Sequence, residues 1–284
     1  MRTSVKYMAI YRHKDKYSIS EMCRFFSVSR SGYYAYVKRM DIPAKDLPLA
    51  EKIRECQDKC GQTYGYRRVH IWLEHNGIHH NPKTILRIMQ KYGLLSVVRR
   101  KKYRNYSNHI HKYENLLNRD FHADRPNQKW VTDISYIHTK QGVLYLSIIR
   151  DLYDNSIVAY KTGTEQNVNL VLSTIKAAKR KEKVTAELQL HSDQGFQYAS
   201  AAYFGMTQAY GITPSMSRRG NPYDNAMAEN FFSILKCECI YQQKPKNFKQ
   251  AREMIDEYIW FYNNRRLQQR FRMTPLEMRR SASA

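Results

Sequence analysis

An α/β core preceded by small all-α modules is the fold class this sequence predicts, and three observations predict it. From Asp120 onward, short apolar runs with strand-like character come three in a row and then alternate with helical periods. Before Asp120, apolar residues recur at helical spacing between caps and turns, which breaks that stretch into short helices. The third observation is charge: 48 Lys and Arg stand against 25 Asp and Glu, for a net +23. Residues 1–119 hold 25 basic and 9 acidic side chains, a net +16, against +7 for the rest. A solvated surface does not call for such asymmetry, so the front of the chain is expected to meet a polyanion, DNA or RNA. At 284 residues there is room for one catalytic core and one or two small modules.

Other classes are set aside on composition. Met1 to Ile10 lacks the apolar core of a secretory signal, and the longest apolar run, Val143 to Ile149, is too short to span a membrane. Five cysteines, an odd number without framework spacing, fit a reducing, cytoplasmic location. Cys56, Cys60, His75 and His79 loosely follow a zinc-finger order. Cys56 and Cys60 nevertheless fall in a helical run, and His79 falls in a turn beside Gly77, so ordinary helix and loop residues are the better reading. Cys237 and Cys239 read as packing residues.

In order, residues 1–45 form a first unit, with a helix-turn-helix over Ser18 to Lys38. Ser18 and Glu21 suggest a capping box, and Ile19, Met22, Cys23 and Phe26 share one helical face. Ser29 caps a second helix whose Arg30 and Tyr33 would suit groove and phosphate contacts. Residues 46–118 form a second helical module and a basic linker. Its last helix is capped by Asn81, opened by Pro82 and closed by Gly93, with Ile85, Ile88, Met89 and Tyr92 on one face. Lys83, Thr84 and Arg87 point the other way, and Arg67 and Arg68 open the preceding helix, so all five are candidate DNA contacts. Arg99, Arg100, Lys101 and Lys102 make a basic run that tethers or tracks a backbone without reading sequence.

Residues 119–239 carry the core. Strands are expected at 129–138, 143–150 and 155–162, then a helix at 168–181, a strand at 188–191, a helix near 201–210, a strand at 212–216 and a helix at 223–236. This order fits a ribonuclease-H-like sheet. Asp133 interrupts the first strand, Asp193 ends the fourth before Gly195, and Glu229 lies on the last helix. An acid inside a buried strand is costly unless a cation pairs with it. Two acids on strands and one on a helix would make a site for Mg²⁺, with Asp133, Asp193 and Glu229 as both catalytic residues and metal ligands. Residues 240–284 read as a C-terminal helical tail.

The runs Asp120 to Ile137, His191 to Tyr198 and Ser215 to Glu238 resemble the integrase-type (DDE) transposases of bacterial insertion sequences, the second-frame product of the IS-three family. The resemblance extends over nearly the whole chain. It implies a ribonuclease-H-like integrase core, first and fourth strands as neighbours, and a helix-turn-helix module at 46–118. It implies cleavage at terminal inverted repeats, joining of one 3′ end near the other, and integration into target DNA. Partners would be the terminal repeats, the target DNA and further copies of this chain, with an upstream frame-shift fusion left open.

Two Mg²⁺ ions about 3.5–4 Å apart, or Mn²⁺ in their place, would activate a water or 3′-hydroxyl and stabilise the leaving oxygen. Arg218, Arg219 and Asn221 lie in a loop expected to order on DNA. Lys236, seven residues after Glu229, lies about 10 Å further along nearly the same helical face. It is expected to be exposed beside the site, and relatives carry a basic residue there, which implies contact with terminal nucleotides. A nuclease that does not join ends, and a DNA-binding regulator without catalysis, remain the other readings. The intact three-acid set argues against the second.

Overall fold

Residues 2–40, 45–98, 113–182, 187–218 and 223–282 are described by the computed structural model. Among them, no helix is long and apolar enough to cross a membrane. Five strands make one sheet in the order β3-β2-β1-β4-β5. They are β1 (Lys129–Thr139), β2 (Gly142–Asp151), β3 (Ile157–Gly163), β4 (Gln189–Ser192) and β5 (Thr213–Met216). The first three form an antiparallel meander, with a hairpin between Thr139 and Gly142 in which Gly142 adopts φ +138°. That conformation suits a residue without Cβ. β4 then joins β1 in parallel and β5 joins β4 in parallel.

Alternation along β1 decides what each face meets. Trp130 and Ile134 point to a core shared with Leu170, Val171 and Ile175 of helix Val168–Lys181 and Tyr203 of helix Ala201–Ala209. Val131 and Ile137 point the other way, toward Ala228, Phe231, Phe232 and Leu235 of helix Ala226–Leu235. Asp133 shares the parity of Val131, so it lies on the Glu229 side. The layer is completed by helix Phe248–Asn264, which buries Ala251, Ile255, Ile259 and Tyr262 against Leu144, Leu146 and Ile148. The segment read from sequence as a tail is therefore packed onto the sheet.

Helix Ala226–Leu235 is shorter than the periodicity suggests. It passes into a π turn, Lys236–Ile240, and a last α turn, Tyr241–Gln243. A π turn holds one residue more than an α turn and rotates everything after it relative to the preceding face.

The front of the chain holds two helical modules. Thr3–His13, Ile19–Phe25 and Arg30–Met40 enclose Tyr7, Ile10, Cys23 and Tyr33. The first of these helices has no counterpart in the sequence reading. Ser18 stands at the N-cap of the second helix but its hydroxyl makes no cap bond, so the expected capping box does not form. Ser29 does cap the third, its hydroxyl accepting from the Gly32 N–H at 3.1 Å. The second module consists of Leu47–Lys59, Tyr66–His75 and Pro82–Lys91 around Ile53, Cys56, Val69, Leu73, Ile85 and Met89. Asn81 accepts from Lys83 N–H at 2.8 Å, and Gly93 turns the chain out at φ +68°. Cys56 and Cys60 face this core, with the Cys60 thiol donating to the Cys56 carbonyl at 2.7 Å.

Candidate active site

Strand register brings two acids level. β1 and β4 run parallel with Val131 opposite His191, which two residues further on puts Asp133 level with Asp193. β4 ends at Ser192, so Asp193 opens a loop beyond the carboxyl end of a strand, where sites form in open α/β sheets. Glu229 stands in the first turn of its helix, one residue after Ala228, which packs with Val131. All three acids are half-buried.

Their fields overlap. Lost hydration pushes the Asp133 carboxyl well above the usual carboxylate range, and the Asp193 and Glu229 charges push it further. The Ile134 N–H, which Asp133 accepts at 2.7 Å, and the Lys236 charge pull the other way. Among the described residues no three His, Cys, Asp or Glu side chains close into a metal cage. An open set of mutually repelling carboxylate oxygens still fits Mg²⁺, which keeps several waters and takes one or two carboxylates plus substrate phosphate.

Neighbouring groups hold Asp193 and pack around it. Asp193 accepts the Gly195 N–H at 2.9 Å. A Cβ on Gly195 would come within 2.9 Å of Gln197 Oε1 and 3.0 Å of Asp193 Oδ1, so a larger residue in this turn would have to displace those side-chain ends. Tyr198 is buried, with its hydroxyl 3.4 Å from Thr132 Oγ1. Burial first, then the Asp133 and Asp193 charges, raise that hydroxyl well above the usual phenol range. His191 bridges β4 to β5, with Nδ1 2.8 Å from Ser215 Oγ and Nε2 3.1 Å from Ser217 Oγ. Burial lowers its pKa to about 4, so the ring is neutral near pH 7.

Asp224 closes the rim. Its buried carboxylate accepts the Arg218 N–H at 3.0 Å and Arg218 Nε at 3.1 Å, Arg119 Nε at 3.1 Å and Asn115 Nδ2 at 2.8 Å. Burial alone would raise its pKa, but the Arg218 and Arg119 bonds win and hold it at about 2.

Family models of the integrase core domain match residues 123–222 and 229–282, and an HTH-like domain matches residues 44–102. Over 265 residues the chain is 36% identical to the putative transposase InsK for insertion sequence element IS150 of Escherichia coli (strain K12), covering 93% of this chain and 94% of that protein. This chain belongs to the integrase-type transposases of bacterial insertion sequences. Transposase InsF for insertion sequence IS3A of the same organism is 32% identical over 267 residues, covering 90% and 91%. Among solved structures, the HTLV-2 integrase catalytic core domain in complex with magnesium is 14% identical, covers 56% of this chain and 99% of that chain, and has a TM-score of 0.46.

In this transposase the sequence-predicted contact residues divide. Arg30, Arg67, Lys83, Arg87 and Arg218 are exposed, and Thr84 is half-buried. Arg87 pairs with Asp46 at 3.4 Å and Arg67 lies over the Tyr66 ring, so both begin with local partners. Tyr33 does not face DNA: its ring is 2% exposed at the centre of the first module, because the helix turns its apolar face inward at that position. Arg68 is also withdrawn from the surface, its side chain only 18% exposed and directed to Leu267 and Glu238. Lys236 is half-buried rather than exposed. Burial lowers its pKa, and the Asp133 charge partly restores it. Arg99, Arg100, Lys101, Lys102, Arg219 and Asn221 lie outside the described residues. Tyr198, His191 and Asp224 were not singled out as supports in sequence. Only their places inside the acid-bearing runs could have drawn attention to them.

Proposed function

We propose that this transposase cuts and joins the ends of its insertion sequence by metal-dependent phosphoryl transfer and inserts them into target DNA. Asp133, Asp193 and Glu229 would hold two divalent cations, Mg²⁺ or Mn²⁺. Such ions, when bound, activate an attacking hydroxyl and stabilise the leaving oxygen. The observation that carries this reading is the parallel register that levels Asp133 with Asp193 beneath the Glu229 helix.

The chain's own residues hold the geometry. Gly195 N–H orients Asp193, the Ile134 N–H orients Asp133, and the buried Tyr198 hydroxyl stands against Thr132, the residue before Asp133. Lys236, placed near Asp133, would meet a phosphate of the terminal nucleotides. Arg30, Arg67, Lys83, Thr84, Arg87 and Arg218 would follow the duplex, the two helical modules recognising the terminal repeats and the core acting on them. Joining two ends requires two copies to be held together, so a homo-oligomer on DNA is the working species.

The test uses labelled end DNA with Mg²⁺ and the full chain. Asp133→Asn, Asp193→Asn and Glu229→Gln should each abolish strand cleavage while gel-shift binding of ends persists. Wild-type cleavage by any one of them would remove that residue from the site.

A further inference from the structure

Arg68 is a basic residue at the start of a helix in an HTH-like module, yet it is turned away from the surface. Its Nε donates to the Leu267 carbonyl at 3.2 Å, and its Nη1 lies 3.8 Å from Glu238. Glu238 is itself only 5% exposed. It accepts Arg266 Nε at 2.8 Å, Arg266 Nη2 at 2.6 Å and the Tyr258 hydroxyl at 2.7 Å. Around this cluster the module grips the segment after Asn264. The Tyr64 hydroxyl accepts from Leu267 N–H at 2.9 Å and donates to the Arg265 carbonyl at 3.2 Å, while Leu267 and Phe261 enter the module's apolar core.

The position of Glu238 gives this contact its consequence. It lies in the π turn, two residues after Lys236 and nine after Glu229, on a continuous helical backbone. That path is roughly 13 Å long at 1.5 Å per residue. An apolar seam alone could hold the module in place. A buried ionic cluster is poor at adding stability but demands one geometry, since Glu238 is the one carboxylate set against both Arg68 and Arg266 and its loss would leave two withdrawn guanidinium groups facing each other. A π turn is also a common device for re-aiming residues near a reacting centre.

We propose that Arg68 and Glu238 are positioning residues of the reaction: their contact latches the helix-turn-helix module to the far end of the Glu229–Lys236 helix, so that docking of the module sets where those two side chains stand. The proposal rests on the reading of Asp133, Asp193 and Glu229 as the reacting site. The module that binds an end and the helix that acts on it thus share one buried joint.

The test compares wild type, Arg68→Met and Glu238→Gln as full chains, well below each variant's unfolding midpoint. Amide hydrogen exchange across 229–243 should quicken at least about fivefold in both variants while β1 and β2 keep wild-type protection. Gel-shift affinity for end DNA should stay within about twofold, and the cleavage rate at saturating DNA should fall at least about tenfold. A merely structural contact would leave that saturated rate unmoved at this temperature. Unchanged exchange at 229–243 overturns the latch, and so does quickening that extends equally through the sheet. Weaker end binding with a full rate at saturation overturns it as well, by returning Arg68 to the DNA surface. If the wild type binds ends but cuts nothing, the functional reading fails instead, and the exchange comparison still decides whether the latch exists.

Discussion

Arg279 offers the sharpest quantitative test of how the core is closed. It lies in the last turn of the C-terminal helix Pro275–Ser281, which a Thr274–Glu277 capping box starts. Its guanidinium contacts Asp151 at 2.6 Å, Asp154 at 2.7 Å and Glu182 at 2.6 Å, and both aspartates are fully buried. Replacing it in Arg279→Met would strand two buried carboxylates. Breaking such a cluster costs about 3–5 kcal/mol, which for a domain of this size lowers the unfolding midpoint by roughly 6–20 °C.

The pH dependence fixes the cause. Burial, then the Asp154 charge, raise Asp151 to about 6, above its unfolded value of 3.8, even with Arg279 present. A carboxyl whose folded pKa is raised destabilises the fold increasingly as pH rises from its unfolded to its folded pKa, and fully above that. Loss of Arg279 raises Asp151 above about 6, so the deficit of Arg279→Met should be present at pH 7 and shrink as pH falls to about 6, where the wild-type carboxyl takes up its proton as well. Adding Asp151→Asn should recover at least about 1 kcal/mol of the loss through coupling. Thermal unfolding monitored by circular dichroism at pH 7, 6 and 5 measures all three variants. A midpoint shift below about 2 °C, with a gap that stays flat with pH, would refute the clamp.

Gly195→Ala should keep the fold within about 1–3 kcal/mol yet slow cleavage at least about tenfold, because the new Cβ crowds the Asp193 carboxylate; rate and melting curve together check it. Asp224→Asn should lose about 1–2 kcal/mol at pH 7, discounted because both arginine partners are nearly half exposed. A lowered pKa gives stability that is present above 3.8 and lost as pH falls through about 2, so urea midpoints of wild type and variant should converge over that window. Tyr33→Phe should bind end DNA within about twofold of wild type, whereas Tyr33→Ala should unfold the first module at a cost of about 3–5 kcal/mol; proteolysis and gel shift separate the two.

What the sequence made legible follows from how local each signal is. The span Val168–Lys181 and the Asn81 cap rest on neighbours in the chain, and the structure reproduces them. The antiparallel run of the first three strands was also readable, and the resemblance implied the pairing of the first strand with the fourth that the sheet shows. The fates of Tyr33, Arg68 and Lys236 were not readable. Each depends on which face of a helix meets a partner far away in sequence, and a basic or aromatic residue carries no mark of that. Arg68 finds Leu267 199 residues on, and Arg279 finds Asp151 128 residues back. The π turn was hidden as well: Lys236 to Ile240 carries no local mark of an extra residue, and its Cys239 and Ile240 pack with Met254 and Tyr258 of a later helix.

The acids of this core fall into two groups, and the difference shows what each group is for. Asp224 and Glu238 are taken out of water, yet arginine bonds hold both below their usual range. Asp151 is raised, but two backbone N–H groups and Arg279 contain the rise. Such acids are complete within the chain. Asp133 is different: desolvation and two like charges drive it well up, while the opposing pull comes from one N–H and a lysine that is itself partly desolvated. Among the described residues no arginine bonds Asp133 in this way. Positive charge brought to the site would relieve the strain there. The same chain carries most of its excess positive charge in its first 119 residues and sets half-buried Lys236 near Asp133. A site short of cations, on a protein rich in them, fits the proposed reaction between metal ions and phosphate.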